Sequence, residues 1–308
     1  MPLTLPQLSR REFLKRTVLT ALGAGLVELI PAKGYAGLFG KSRDPHTFAF
    51  FSDTHIAAAP ATQFLNANMA DNLAACVREL CAWPAKPAAI LINGDLAFST
   101  GRAEDYATFG RLIHPLRALA PLHLSLGNHD ERQHFWTAFP QDATVPRTVP
   151  QRQASVFASD RANWFLIDSL MLTNQTPGGL GAGQLDWLSR ELAARPDRPA
   201  LIVCHHNLDA NMNISGLVDT GALEDVFARH RQVKAFIHGH THDWHVTTHA
   251  SGVQIINLPP TGYVFQPGRP SGWVRCTLAR DGAEFELRAL DPHHPEHAQV
   301  KKLAWRSA

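Results

Sequence analysis

The chain has 308 residues, 45% of them apolar and 18% charged, with no run of like charges. That composition excludes a disordered chain and leaves enough length to bury a sizeable core. The formal charge of +2 is uneven: residues 1–36 carry Arg10, Arg11, Lys15, Arg16 and Lys33 against Glu12 and Glu28, so the rest is near neutral and offers no footprint for nucleic acid or an anionic membrane.

Ser9-Arg10-Arg11-Glu12-Phe13-Leu14-Lys15 is a twin-arginine pattern. An apolar stretch from Thr17 to Ile30 follows, too short to span a bilayer comfortably, and then Gly34-Tyr35-Ala36, a small-x-small cleavage site. This order of charged, apolar and small residues predicts a twin-arginine (Tat) export signal over residues 1–36, cleaved after Ala36. The expected partner is the Tat machinery, and the expected location is the periplasm. The bland alternative is an ordinary amphipathic first helix. Residues 37–308 read as one domain with no transmembrane span.

From Thr47 onward, strand and helix patterns alternate. Phe48 to Phe51 reads as a buried strand, Asn66 to Cys81 as a helix with Leu73, Val77 and Leu80 on one face, and Ala88 to Ile92 as the next strand. A helix from Glu104 to His114, a strand at Leu122 to Leu126, and two short strands at Ser155 to Ala158 and Trp164 to Ile167 follow. Gln184 to Ala194 is helical, Leu201 to Val203 extended, Leu223 to His230 helical and Val233 to Ile237 extended. The strands after His245 read as a terminal meander, with a hairpin signal at Asp281-Gly282. The last residues, Pro292 to Ala308, read as a polar, solvated tail whose His293, His294 and His297 have no assigned role. Cys76 and Cys81, on one helix, are badly placed for a disulfide, and the four cysteines read as small buried hydrophobes.

Five polar clusters sit where apolar runs end: Asp53-Thr54-His55, Gly94-Asp95, Gly127-Asn128-His129-Asp130, His205-His206 and Gly239-His240-Thr241-His242. Each alone is weak. Asp53 and His55 share a face if they lie on a strand; Asp130 either orients His129 or caps a following helix. Together they supply carboxylates, imidazoles and an amide. Ligands so far apart in sequence converge if parallel strands open their carboxyl ends into one crevice.

The pattern D-x-H, G-D, G-N-H-D, H, G-H-x-H resembles the calcineurin-like metallophosphoesterase superfamily. Gly94-Asp95-Leu96 with Glu104-Asp105-Tyr106, and Ile167-Asp168-Ser169 with Gln184-Leu185-Asp186-Trp187-Leu188, are similar to its class III cyclic nucleotide phosphodiesterase branch. The resemblance implies an α/β fold of two packed mixed β-sheets flanked by helices, a four-layer sandwich with a dimetal site at the strand ends. It implies two divalent ions, Fe, Mn or Zn. Asp53, His55, Asp95 and His242 would hold the first; Asp95, Asn128, His205 and His240 the second. His129 would face the substrate as proton donor or phosphoryl-oxygen stabiliser, and His206, His238 and Tyr263 are weaker candidates for touching it. Phe98 stands where purple acid phosphatases carry a metal-binding tyrosine, so that iron–tyrosinate pair is not expected. The implied reaction is hydrolysis of a small phosphodiester such as a nucleotide, cyclic nucleotide or glycerophosphodiester. Its rivals are a phosphomonoesterase on the same site and a non-catalytic metal-binding scaffold or carrier.

Overall fold

The computed structural model describes residues 42–140, 149–209 and 215–307; the predicted leader lies outside the described residues. The described strands are β1 (Thr47–Ser52), β2 (Gln63–Phe64), β3 (Ala67–Asn68), β4 (Ala89–Asn93), β5 (Leu122–Ser125), β6 (Ser155–Ala158), β7 (Asn163–Leu166), β8 (Ala200–Val203), β9 (Val233–His238), β10 (His245–Thr248), β11 (Gln254–Asn257), β12 (Gly272–Leu278), β13 (Gly282–Ala289) and β14 (Val300–Ala304). The α-helices are α1 (Met69–Ala82), α2 (Ala103–Ile113), α3 (Arg132–Ala138), α4 (Ala182–Ala193) and α5 (Thr220–Arg229).

The two-residue period of β1 decides the layering. Phe48 and Phe50 point into a core shared with Trp164, Val203, Ile237 and Phe285, between two sheets. Ala49 and Phe51 point the other way, into a cluster with Leu73 and Val77 of α1, Phe109 of α2 and Phe135 of α3. On the far side, Phe165 and Ile202 pack with Leu188 of α4 and Val226 of α5. The result is helices, sheet, sheet, helices, as expected.

One sheet runs β14-β13-β12-β1-β4-β5 and the other β10-β11-β9-β8-β7-β6. In the first, β1, β4 and β5 are parallel; in the second, β7, β8, β9 and β11 are. Buried parallel strands of this kind carry their ligands at the carboxyl ends.

Three expectations need correcting. The terminal strands are not one meander. β10 and β11 extend the second sheet, with β11 parallel to β9, whereas β12 returns antiparallel to β1 in the first. The chain end is no solvated tail: β14 pairs with β13 from Gly282↔Ala304 to Glu286↔Val300. Its polar composition is that of an edge strand with one wet face, and Lys301 caps it by lying 5.0 Å over the Trp244 ring. The helix expected from Asn66 begins at Met69, with Asn68 as the cap that accepts from the Asp71 amide at 3.0 Å. Residues 63–68 form a hairpin turned by Leu65 and Asn66, at φ 46° and 63°. Cys76, Cys204 and Cys276 are buried as expected, Cys81 only partly so, and no disulfide forms among the described residues. No described helix is long and apolar enough to cross a membrane.

Candidate metal centre

Each ligand expected from the sequence lies just past the carboxyl end of a parallel strand: Asp53 and His55 after β1, Asp95 after β4, Asn128 after β5, His205 after β8, His240 and His242 after β9. Asp53 and His55 converge differently from the expected strand alternation. Both have left the strand and are left-handed, at φ 51° and 48°, as are Asp95 (47°), His240 (70°) and His242 (53°). The glycines give the main chain room at the same places. A methyl at Gly127 would overlap Asp95 Oδ1, and one at Gly239 would overlap Ser52 Oγ and Asp53 Oδ2.

The side chains form overlapping groups: Asp53, His55 and His242; Asp95, His205 and His240; and His55, Asp95 and His129. His55 and His242 bring their Nε2 atoms to 3.0 Å. His242 Nε2 is 3.4 Å from Asp53 Oδ1, and His205 Nε2 is 3.3 Å from Asp95 Oδ2 and 3.9 Å from Asp53 Oδ1. Asp95 Oδ2 is also 3.7 Å from His55 Nε2, so it lies between the two groups. The paired histidines of the Gly239–His242 turn divide, one to each group.

Main-chain carbonyls fix the imidazole tautomers. Nδ1–H of His242 donates to Tyr263 (2.7 Å), that of His205 to Asn93 (3.1 Å) and that of His129 to Ser99 (2.8 Å). A carbonyl only accepts, so each neutral ring presents a bare Nε2. His205 Nε2 and Asn128 Oδ1 are buried without a hydrogen-bond partner. Bare imidazole nitrogens, two carboxylates and an orphaned amide oxygen are a donor set that fits divalent cations.

Burial raises Asp53 and Asp95, but His205 and His242 around Asp53, and His205, His55 and His129 around Asp95, together outweigh it and hold both below the usual carboxylate range. Burial pulls His205 down, yet Asp95 and Asp53 raise it to about 9. Burial lowers His55 to about 3 and His240 to about 4. In the metal-free protein His205 therefore keeps its proton below pH 9, and a bound cation must displace it. Cation binding at pH 7 should release about one proton, and affinity should climb with pH until about 9 and then level off. A pH indicator in weak buffer during metal titration reads this directly.

His206 stands beside the second group: its ring is 4.5 Å from His240, its Nδ1 is 2.8 Å from Ser169 Oγ, and its buried Nε2 has no partner. Tyr263 faces the first, 4.7 Å from His55 and 4.6 Å from His242. His238 is buried on β9, with its Nδ1 at 3.0 Å from the Gly239 carbonyl and its ring beside those of Phe236 and His245.

Asp130 has neither role expected for it. Its carboxylate accepts from the amides of Gly127 (2.8 Å), Leu96 (3.2 Å) and Ala97 (3.2 Å) and from the Tyr106 hydroxyl (3.0 Å), tying the Asp95 loop to the Asn128 loop. Glu131, not Asp130, caps α3. The supporting tasks of two groups went unread in the sequence, although Tyr106 stands in the Glu104-Asp105-Tyr106 motif. Ser52 Oγ lies 2.5 Å from Asp53 Oδ2, and Tyr106 joins Asp130 to the Glu131 amide at 2.8 Å. Neither residue type carries a local signal for such a task.

A buried carboxylate–imidazole–amide centre with room for two cations, at the strand ends of a double α/β sandwich, defines a dimetal hydrolase. The model of the calcineurin-like phosphoesterase family matches residues 46–244, and the chain belongs to that family. It is a metal-dependent phosphoric ester hydrolase. It is 29% identical over 223 residues to the 3′,5′-cyclic adenosine monophosphate phosphodiesterase CpdA of Pseudomonas aeruginosa, covering 70% of this chain and 76% of the relative. It is 28% identical over 230 residues to a 3′,5′-cyclic-nucleotide phosphodiesterase of Nostoc, covering 72% and 80%. The fold matches a dimetal phosphatase from Danio rerio with a TM-score of 0.64 at 17% identity, over 85% of this chain and 99% of that one.

Proposed function

We propose that this protein is an exported phosphodiesterase acting on a small diester. The observation that supports the reading is the convergence of Asp53, His55, Asp95, His205, His240 and His242 on one centre, with His129 beside it. The relatives named as cyclic-nucleotide phosphodiesterases favour a diester over a monoester. A scaffold or carrier would have no use for His129.

Asp53, His55, Asp95 and His242 would hold one ion and Asp95, Asn128, His205 and His240 the other, with Fe, Mn and Zn all suited to such mixed donors. Such ions, when bound, would supply Lewis-acid stabilisation of phosphoryl charge and a source of hydroxide near neutral pH. The protein supplies the rest. The His129 backbone amide donates to Asp95 Oδ1 at 2.8 Å, which fixes the carboxylate shared by both groups. The His129 ring, anchored through Nδ1–H, directs Nε2 at the centre, where in its imidazolium form it would donate to the leaving oxygen or to a phosphoryl oxygen. Tyr263 and His206 would border the substrate, one on each group. His238 is better explained by packing.

The test is turnover of bis(p-nitrophenyl) phosphate against p-nitrophenyl phosphate by protein reconstituted with Mn²⁺. A diester preference lost in Asn128→Ala is the expected result. A monoester preference would make the protein a phosphatase, and no turnover of either would return the scaffold. Export rests on the Arg10-Arg11 pattern and the apolar stretch behind it. Residues 1–36 fused to a folded reporter should reach the periplasm of a bacterium with the Tat pathway and stay inside one lacking it.

A further inference from the structure

Among the described residues seven large apolar side chains are exposed: Phe64, Leu65, Met171, Leu172, Val218, Phe265 and Val300. All but Val300 belong to segments that border the metal centre, and they divide between its two halves. On the side of His55 and His242, Phe265 stacks on the His242 ring at 4.0 Å and 17°. Phe64, on the β2–β3 hairpin, meets the Tyr263 ring at 4.8 Å. On the side of His205 and His240, Gly178 lies against His206, and the adjoining Gly179 lies against Met171 and Val218. That loop is bound to the centre again by the Asn174 amide, which donates to the Asn128 carbonyl at 2.5 Å. Exposed apolar side chains on segments that border a site offer it a binding surface.

A single patch would suit a substrate with one apolar arm. A cyclic diester closes both ester bonds on one ring and so presents one such arm, as does a monoester. Here an aromatic surface adjoins one ligand group and an aliphatic surface the other. We infer that the centre takes an acyclic phosphodiester carrying an apolar group on each ester arm, one seated on Phe64 and Phe265 and the other on Met171 and Val218. This rests on the phosphodiesterase reading and narrows its substrate class.

The test compares bis(p-nitrophenyl) phosphate with methyl p-nitrophenyl phosphate, each rate referenced to its own uncatalysed hydrolysis. The leaving group is the same and only the second arm differs. The aryl ester should be preferred by about tenfold in kcat/KM. Of the pairs Phe64→Ala/Phe265→Ala and Met171→Ala/Val218→Ala, the one under the second arm should bring the ratio towards one, through KM, and the one under the leaving arm should lower kcat/KM for both esters alike. Calorimetric titration with diphenyl phosphate gives a readout apart from turnover, and both paired variants should bind it more weakly than wild type. Equal corrected rates for the two esters, or a wild-type ratio and affinity in either pair, would overturn the two-armed site while leaving the phosphodiesterase intact. Absence of turnover on any diester would remove both readings.

Discussion

Replacing Asp95 with asparagine is expected to lower kcat/KM for a diester at least about a thousandfold, about 4 kcal/mol of transition-state stabilisation. Asp95 faces both ligand groups, with Oδ2 at 3.3 Å from His205 Nε2 and 3.7 Å from His55 Nε2, slightly closer than Asp53 Oδ1 lies, at 3.4 Å from His242 Nε2 and 3.9 Å from His205 Nε2. Its other oxygen accepts the His129 amide. Asparagine nearly preserves the shape but removes the charge and replaces one acceptor with an NH₂ donor. If its oxygen keeps the His129 amide, the NH₂ turns towards both imidazoles and no cation can be shared. If it flips, the donor meets the His129 N–H. The variant should bind fewer equivalents of metal than wild type, measured by elemental analysis after gel filtration. Retention of both metal equivalents and activity within tenfold of wild type would show that Asp95 is not the shared ligand.

The second large effect is expected away from the ligands. Asp130→Asn should destabilise the protein by about 2–4 kcal/mol, because donors are left facing donors in a buried site. Asp130 is fully buried and accepts three backbone amides and one phenol hydroxyl. Burial and the Asp95 charge raise it to about 6, against the pull of those amides, so the carboxylate is held at a cost. What it provides is alignment of the Leu96–Ala97 and Gly127 main chains, and through them of Asp95 and Asn128. Denaturant unfolding monitored by tryptophan fluorescence should show the lost stability, and metal affinity should fall with it. A midpoint equal to wild type would mean that the network is incidental. Tyr106→Phe removes one of the four donors and should cost less, about 1 kcal/mol.

These two residues show what the sequence carried and what it did not. Asp53, His55, Asp95, Asn128, His205, His240 and His242 were legible because each ends an apolar strand run, and a parallel sheet gathers such ends. The four-layer order came from the family resemblance, since β1, apolar on both faces from Phe48 to Phe51, reads by itself only as a buried strand. The motif Glu104-Asp105-Tyr106 marked Tyr106, but its task was not legible, because its partner lies across a loop. The Leu65–Asn66 turn and β14 were missed for a related reason. Their strands are short or polar edges, stabilised by a neighbour that a single segment cannot show. The strand reading of Asp53-x-His55 gave the right pair for the wrong local reason, since period-two alternation and two left-handed residues both bring the side chains together.

That left-handed backbone has an evolutionary consequence. Asp53, His55, Asp95, His240 and His242 each hold a conformation that costs a residue with a Cβ about 1 kcal/mol, one that glycine adopts freely. Drift towards glycine at any of them would therefore tend to relax the metal-free chain while destroying the chemistry. Selection for folding and selection for turnover pull in opposite directions at five adjoining points. A library of variants sorted only for thermal resistance, with metal withheld, should lose its active members first at these positions.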